Sequence, residues 1–324
     1  MSSNAAAVTD RVADHALQCT LPDGRVLGYQ IEGEGEITVV LLHGLAMCRA
    51  FFVPIVLSTS KSDLESDLEK RARFVLVDRP GWFESSDPPQ GYSYTKFAAD
   101  ISALMDHVGA AEFCVLGHSS GGPCALAVAA ALPRRVLACT LVGPDAEYTR
   151  AGAPVDPIAT ITLGPLACCW CLCCVANCGP CCECVCAEDA SKAERGDFSS
   201  CTGMFTEAER ALYAANGGDN AFRAGVDVSA HLASEATKAR VGVGGYLNDW
   251  RLERSSYSFD TSAARCPVHI FVGAADKHTR KNAEFINKVV PSSTLTVFEG
   301  DVGHFSCFSK ACWMEMLDAT LAKK

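Results

Sequence analysis

Positive charge is scarce in this chain of 324 residues: 28 Lys and Arg stand against 38 Asp and Glu, a net charge of −10. That balance repels a phosphate backbone, and no Lys/Arg cluster interleaved with aromatics offsets it, so nucleic acid is not an expected partner. The N-terminus, MSSNAAAVTDRVADHALQC, lacks a basic segment followed by an apolar one, and Ser2 stands where N-myristoylation needs glycine. The expected compartment is therefore the cytoplasm. No repeat recurs at a fixed period, which sets repeat architectures aside. With 49% hydrophobic and 20% charged residues, and only 26 Gly and 14 Pro, the composition is globular rather than disordered or collagen-like. The length accommodates two domains, or one large α/β domain with an insertion.

What the chain has in excess is cysteine. It carries 19, of which ten fall between Cys168 and Cys186. The other nine are scattered as buried thiols would be in a reducing compartment.

The first part of the chain alternates short apolar runs with amphipathic stretches. Strands are expected at Leu27 to Ile31, Ile37 to Leu42, Phe74 to Val77, Phe113 to Leu116 and Val136 to Val142, with helices at Tyr94 to Val108 and Gly121 to Leu132. Continuous apolar runs such as ITVVLL are typical of strands buried on both faces. After Asp145 the alternation stops, and only helical stretches such as Thr206 to Ala215 and Ala230 to Val241 follow. Strand signal returns at Val268 to Val272 and Thr294 to Phe298, with helices near Arg280 to Val289 and from Phe305 onward. Strand–helix alternation predicts an α/β fold: a mostly parallel sheet, helices on both faces, and an inserted helical cap. The expected division is a core at 20–148 and 262–324, a cap at 149–261, and an N-terminal extension at 1–19.

Gly117-His118-Ser119-Ser120-Gly121-Gly122 lies between the strand FCVL and the helix PCALAVAAAL. A nucleophile on a sharp strand-to-helix turn needs tiny residues two before and two after it, which G-x-S-x-G supplies. Serine becomes nucleophilic only when an oriented base takes its proton. Of eight histidines, only His304 follows the last strand, on a loop at its carboxyl end, where sites form in open α/β sheets. Asp276 follows the penultimate strand at the same edge, and Asp145, after VLACTLV, is the alternative acid. His278 is too close in sequence to Asp276 to be the oriented base. The oxyanion-binding donors are expected to be the backbone N–H groups of Ser120 and Leu45. His43 reads as a structural histidine shaping that second loop.

LLHGLA, VDRPGWFESSD, GHSSGGP, VGAADKHT and GDVGHFS together resemble the α/β-hydrolase superfamily, over about residues 22 to 148 and 240 to 324. The chain departs from the family pattern at Phe83, where a glycine is usual, and at Lys277-His278 after the acid. The serine also separates it from the epoxide hydrolases and haloalkane dehalogenases of the family, which use Asp there. The resemblance implies ester hydrolysis through an acyl-serine, with Ser119 as nucleophile, His304 as base and Asp276 as orienting acid. The implied substrate is a small or lipid-like acyl ester. Thioester or C–C hydrolysis shares the same triad, and a catalytically silent binding protein on this fold is the reading from another class.

The segment Pro157 to Cys182 carries no formal charge, but Gly164-Pro165, Asn177 and Gly179-Pro180 interrupt it and argue against a membrane span. Cys168, Cys171, Cys174 and Cys178 match an iron–sulfur spacing, and Cys171/Cys174 with Cys178/Cys181 would suit zinc. Ten cysteines in so short a stretch satisfy almost any spacing, however, so no metal or organic cofactor is implied. The remaining readings are an apolar cap helix or an S-acylated string that brings a membrane surface into play. Substrate preference is expected to reside in this cap, with candidates at Phe205, Tyr246 and Trp250.

Overall fold

A computed structural model describes residues 3–45, 47–59, 71–154, 206–214 and 244–322. The charged stretch at 60–70, the helix expected at 230–241, Phe205, and the Cys-rich segment 168–186 with its acylation, metal and membrane readings lie outside the described residues. No helix among the described residues is long and apolar enough to cross a membrane.

The strands are β1 (Leu17–Thr20), β2 (Val26–Glu32), β3 (Ile37–Leu42), β4 (Ala72–Val77), β5 (Phe113–His118), β6 (Val136–Val142), β7 (Val268–Gly273) and β8 (Ser293–Phe298). They form one sheet in the order β1-β2-β4-β3-β5-β6-β7-β8. The β1–β2 and β2–β4 pairs are antiparallel and every other pair is parallel. The helices are α1 (Ser3–Asp14), α2 (Val53–Thr59), α3 (Tyr94–His107), α4 (Gly121–Ala131), α5 (Glu207–Ala214), α6 (Gly244–Glu253), α7 (Arg280–Val289) and α8 (Lys310–Leu321).

Side chains alternate across a strand, so β3 feeds two cores. Val39 and Leu41 join Phe51, Phe52, Trp313 and Met316 on the face of α1, α2 and α8. Val40 and Leu42 join Phe97, Ile101, Leu126 and Ile286 on the face of α3, α4 and α7. Each such aliphatic side chain contributes about 1.5–3 kcal/mol on burial. α4 is apolar all round because it lies against the sheet centre with nearly every residue buried.

The stretch expected to be an N-terminal extension is built into the fold. Val8 and Val12 of α1 are buried in the first core, Arg11 forms a fork with Glu32, and residues 17–20 are the edge strand. The final helix begins later than expected: Ser306–Phe308 forms a 3₁₀ turn and α8 starts at Lys310.

Candidate active site

β5 ends at His118, and Ser119 turns the chain into α4 with φ of +53°. Left-handed backbone at a non-glycine residue is strained, and three hydrogen bonds hold it here. Ser119 N donates to Val142 O (3.0 Å), and Ser119 O accepts from Gly122 N (2.8 Å) and Asp145 N (3.3 Å). A Cβ at Gly117 would overlap the carbonyl of Gly121, and one at Gly121 would overlap the carbonyl of Leu42. The two flanking glycines are therefore steric requirements of the turn. Ser119 is half-buried between fully buried neighbours.

The loop after β3 lies against the serine: a Cβ on Gly44 would sit 3.1 Å from Ser119 Cβ. His43 is a structural residue. Its Nε2 accepts from Arg79 N (3.0 Å), so Nδ1 carries the proton it donates to Gly44 O (2.8 Å). Burial, with the Arg79 charge adding to it, keeps this imidazole neutral. Arg79 also donates to the carbonyls of His43 (2.8 Å) and Gly44 (3.0 Å), then forks onto Asp249 of α6 with two bonds of 2.7 Å. Trp82 Nε1 adds a third donor to Asp249 at 3.0 Å. The segment Gly244-Gly245-Tyr246 is the start of this helix. A Cβ at Gly245 would meet Gly81 O at 2.7 Å, and Trp250 stacks with the Arg254 guanidinium.

Phe83, the departure from the family pattern, has φ of +41°, which explains why a glycine is usual there. Its ring lies 4.9 Å from the guanidinium of Arg49, a buried residue that pairs with Asp78 and Glu84.

His304 and Asp276 meet at the carboxyl edge of the sheet. His304 Nδ1 lies 2.8 Å from Asp276 Oδ2, with both side chains buried. The acid is fixed by the backbone N–H groups of His278 and Thr279, each 3.0 Å from Oδ1, and by the Thr279 hydroxyl on Oδ2. Burial alone would raise the Asp276 pKa, but the His304 charge and these donors outweigh it and hold the carboxyl below its ordinary range. Burial likewise opposes the imidazolium of His304. Asp276 above all, then Asp145 and Glu209, overcome that and raise its pKa. An ionised Asp276 accepts from Nδ1–H, which leaves the lone pair of His304 on Nε2. Asp145 takes another part: it accepts from Ser120 Oγ (3.1 Å) and Tyr148 OH (2.7 Å).

Three buried groups here escaped the sequence reading. His118 packs its ring 4.6 Å from that of His304 and 5.4 Å from Phe51, and neither ring nitrogen has a hydrogen-bond partner among the described residues. Burial, with His304 beside it, keeps it neutral. The Glu253 carboxyl is pushed well above its ordinary range by burial and by Asp145 and Asp249. The third is Glu209, whose one signal in the sequence is Thr206-x-x-Glu209, the spacing of a helix capping box. Among the described residues no group of three or more His, Cys, Asp or Glu could hold a metal ion.

A mostly parallel eight-stranded sheet, a serine elbow after β5, and a His–Asp pair after β8 and β7 are the arrangement of the α/β-hydrolase fold. The family described as alpha/beta hydrolase fold matches residues 37–157. Among curated proteins, the chain is 33% identical over 135 residues to a 2-hydroxy-6-oxononadienedioate/2-hydroxy-6-oxononatrienedioate hydrolase of Pseudomonas putida, covering 41% of this chain and 44% of that one. The chain spans less than half the length of the curated relatives it matches. Among solved structures, an esterase from Exiguobacterium antarcticum superposes with a TM-score of 0.63 at 20% identity, covering 94% and 99% of the two chains. The enol-lactonase of Burkholderia xenovorans LB400 does so with a TM-score of 0.60 at 18% identity, covering 95% and 100%.

Proposed function

We propose that this protein is a serine hydrolase that cleaves the ester bond of a small or acyl-chain substrate through an acyl-serine intermediate. The observation that carries the reading is the buried Asp276–His304 hydrogen bond at the sheet edge where the strained elbow presents Ser119. In this mechanism His304 Nε2 removes the Ser119 hydroxyl proton as Oγ attacks the ester carbonyl. Backbone N–H groups of Ser120 and Leu45 receive the oxyanion, because Ser120 stands at the N-terminus of α4 and Gly44 brings the neighbouring loop against the serine. His304 then protonates the departing alcohol, and water, deprotonated by the same imidazole, releases the acid. Asp276 keeps the imidazole in the required tautomer.

The test is acyl-enzyme trapping. Mixed with p-nitrophenyl esters of increasing chain length, the wild-type protein gains one acyl mass on the Ser119 peptide and releases nitrophenol, while Ser119→Ala does neither. Turnover that survives in Ser119→Ala refutes the mechanism. A second reading, C–C bond hydrolysis, is favoured by the curated relative from Pseudomonas putida, whose name states a 2-hydroxy-6-oxononadienedioate substrate. Turnover of that acid with none of any ester would move the assignment there.

A further inference from the structure

Of residues 155–243, which separate the two parts of the core, the structure describes 206–214, and these end up against the base loop. α5 opens with a capping box. Glu209 N donates to Thr206 Oγ1 at 3.1 Å, and Glu209 Oε2 accepts from Thr206 N at 2.9 Å. On a surface helix the rest of such a carboxylate faces water. Here Glu209 is fully buried, and its Oε1 accepts from the backbone N–H groups of Phe305 (2.8 Å) and Ser306 (2.6 Å), the two residues after His304. A Cβ on Gly303, the residue before His304, would overlap the same carboxylate. No Lys, Arg or His among the described residues forms an ion pair with it, so backbone amides are what compensate its burial there.

These contacts determine the shape of the loop. The Phe305 and Ser306 amides point at Glu209, while Gly303 N donates to Ser306 Oγ at 2.7 Å. His304 is therefore tethered on both sides, and the chain is drawn into a 3₁₀ turn before α8 can begin. The charged and titratable groups facing the imidazole are Asp276 from the loop after β7, Asp145 from the loop after β6, Glu209 from α5, and His118 from the end of β5.

We propose that Glu209 is a positioning residue for the base: it fastens the His304 loop to the inserted segment, so that His304 stays in register with Asp276 only while α5 is docked. α5 and the group that activates the serine then act as one unit. The inference rests on the Ser119–His304–Asp276 reading.

The experiment measures covalent inactivation by a fluorophosphonate probe as a function of pH, together with a thermal melt, for the wild type, Glu209→Gln, Glu209→Asp, Gly303→Ala and Thr206→Ala. Glu209→Gln is expected to react about 10-fold or more slowly, as a displaced base would, with probe affinity within about twofold of wild type. Its acid limb moves to lower pH, because an anion favouring the imidazolium has gone. Glu209→Asp keeps the charge but falls one methylene short, so the rate drops while the limb stays. Gly303→Ala, which strikes the same contact from the other side, lowers the rate with Glu209 intact. Thr206→Ala loses the helix cap alone and is expected to melt earlier without moving the limb. The proposal is overturned if Glu209→Asp and Gly303→Ala react at the wild-type rate. It is equally overturned if Thr206→Ala reproduces the whole kinetic effect, since helix stability would then be the cause. A folded wild type that is not labelled at all refutes the underlying triad reading instead.

Discussion

Replacing Asp249 by Asn separates a structural ion pair from a surface one. Asp249 and Arg79 are at most 3% exposed, and they share two hydrogen bonds of 2.7 Å. A surface pair would contribute about 0–1 kcal/mol, whereas breaking a buried pair by removing one charge costs about 3–5 kcal/mol. Arg79 keeps the His43 and Gly44 carbonyls as acceptors, which places the expected loss near the lower end, at about 3 kcal/mol. With a urea slope of about 3 kcal/mol/M for a chain of this size, the unfolding midpoint falls by about 1 M. Arg79→Met/Asp249→Leu, which removes both charges, recovers more than half of that loss, and the double-mutant cycle gives the coupling. A midpoint shift below about 0.3 M, or strict additivity, would refute the reasoning. Because the guanidinium also grips the end of the loop carrying Leu45, Asp249→Asn slows labelling of Ser119 as well.

Three further outcomes are expected. The acid limb of kcat/KM lies above the ordinary histidine value of about 6.5, since Asp276, Asp145 and Glu209 raise the His304 pKa, and activity is lost as pH falls through it; a limb below that value contradicts the electrostatics. Asp276→Asn moves the limb down and lowers kcat about 10³-fold or more through the wrong tautomer, with the melting temperature monitored alongside. Phe83→Gly relieves about 1 kcal/mol of left-handed strain but loses a cation–π contact of about 2 kcal/mol at a buried arginine, so it destabilises, and Phe83→Leu, which keeps the strain, is worse in urea.

The sequence made the central strands visible because ITVVLL and the runs like it are buried on both faces, and composition alone marks such strands. β1, LQCT, escaped because an exposed four-residue edge strand pairing with one neighbour has no apolar run. α2 escaped because VPIVLST is short and reads equally as strand. The loops that carry the candidate residues Ser119, Asp276 and His304 were legible from local motifs, each following a strand. The contacts that hold them were not: Arg79 reaches Asp249 across 170 residues, and Glu209 reaches Ser306 across 97. Nothing in a linear pattern specifies which carboxylate a buried guanidinium or a loop amide will find. Phe83 shows the reverse case, a visible departure whose compensation by Arg49 appears only in three dimensions.

The central claim is that Ser119 is activated by His304. The most direct test is fluorophosphonate labelling of the folded protein with the adduct mapped by peptide mass. The account predicts a single adduct on Ser119, absent in Ser119→Ala and formed at least about 100-fold more slowly in His304→Ala. Unlabelled protein, an adduct on another residue, or equal labelling of His304→Ala would contradict it.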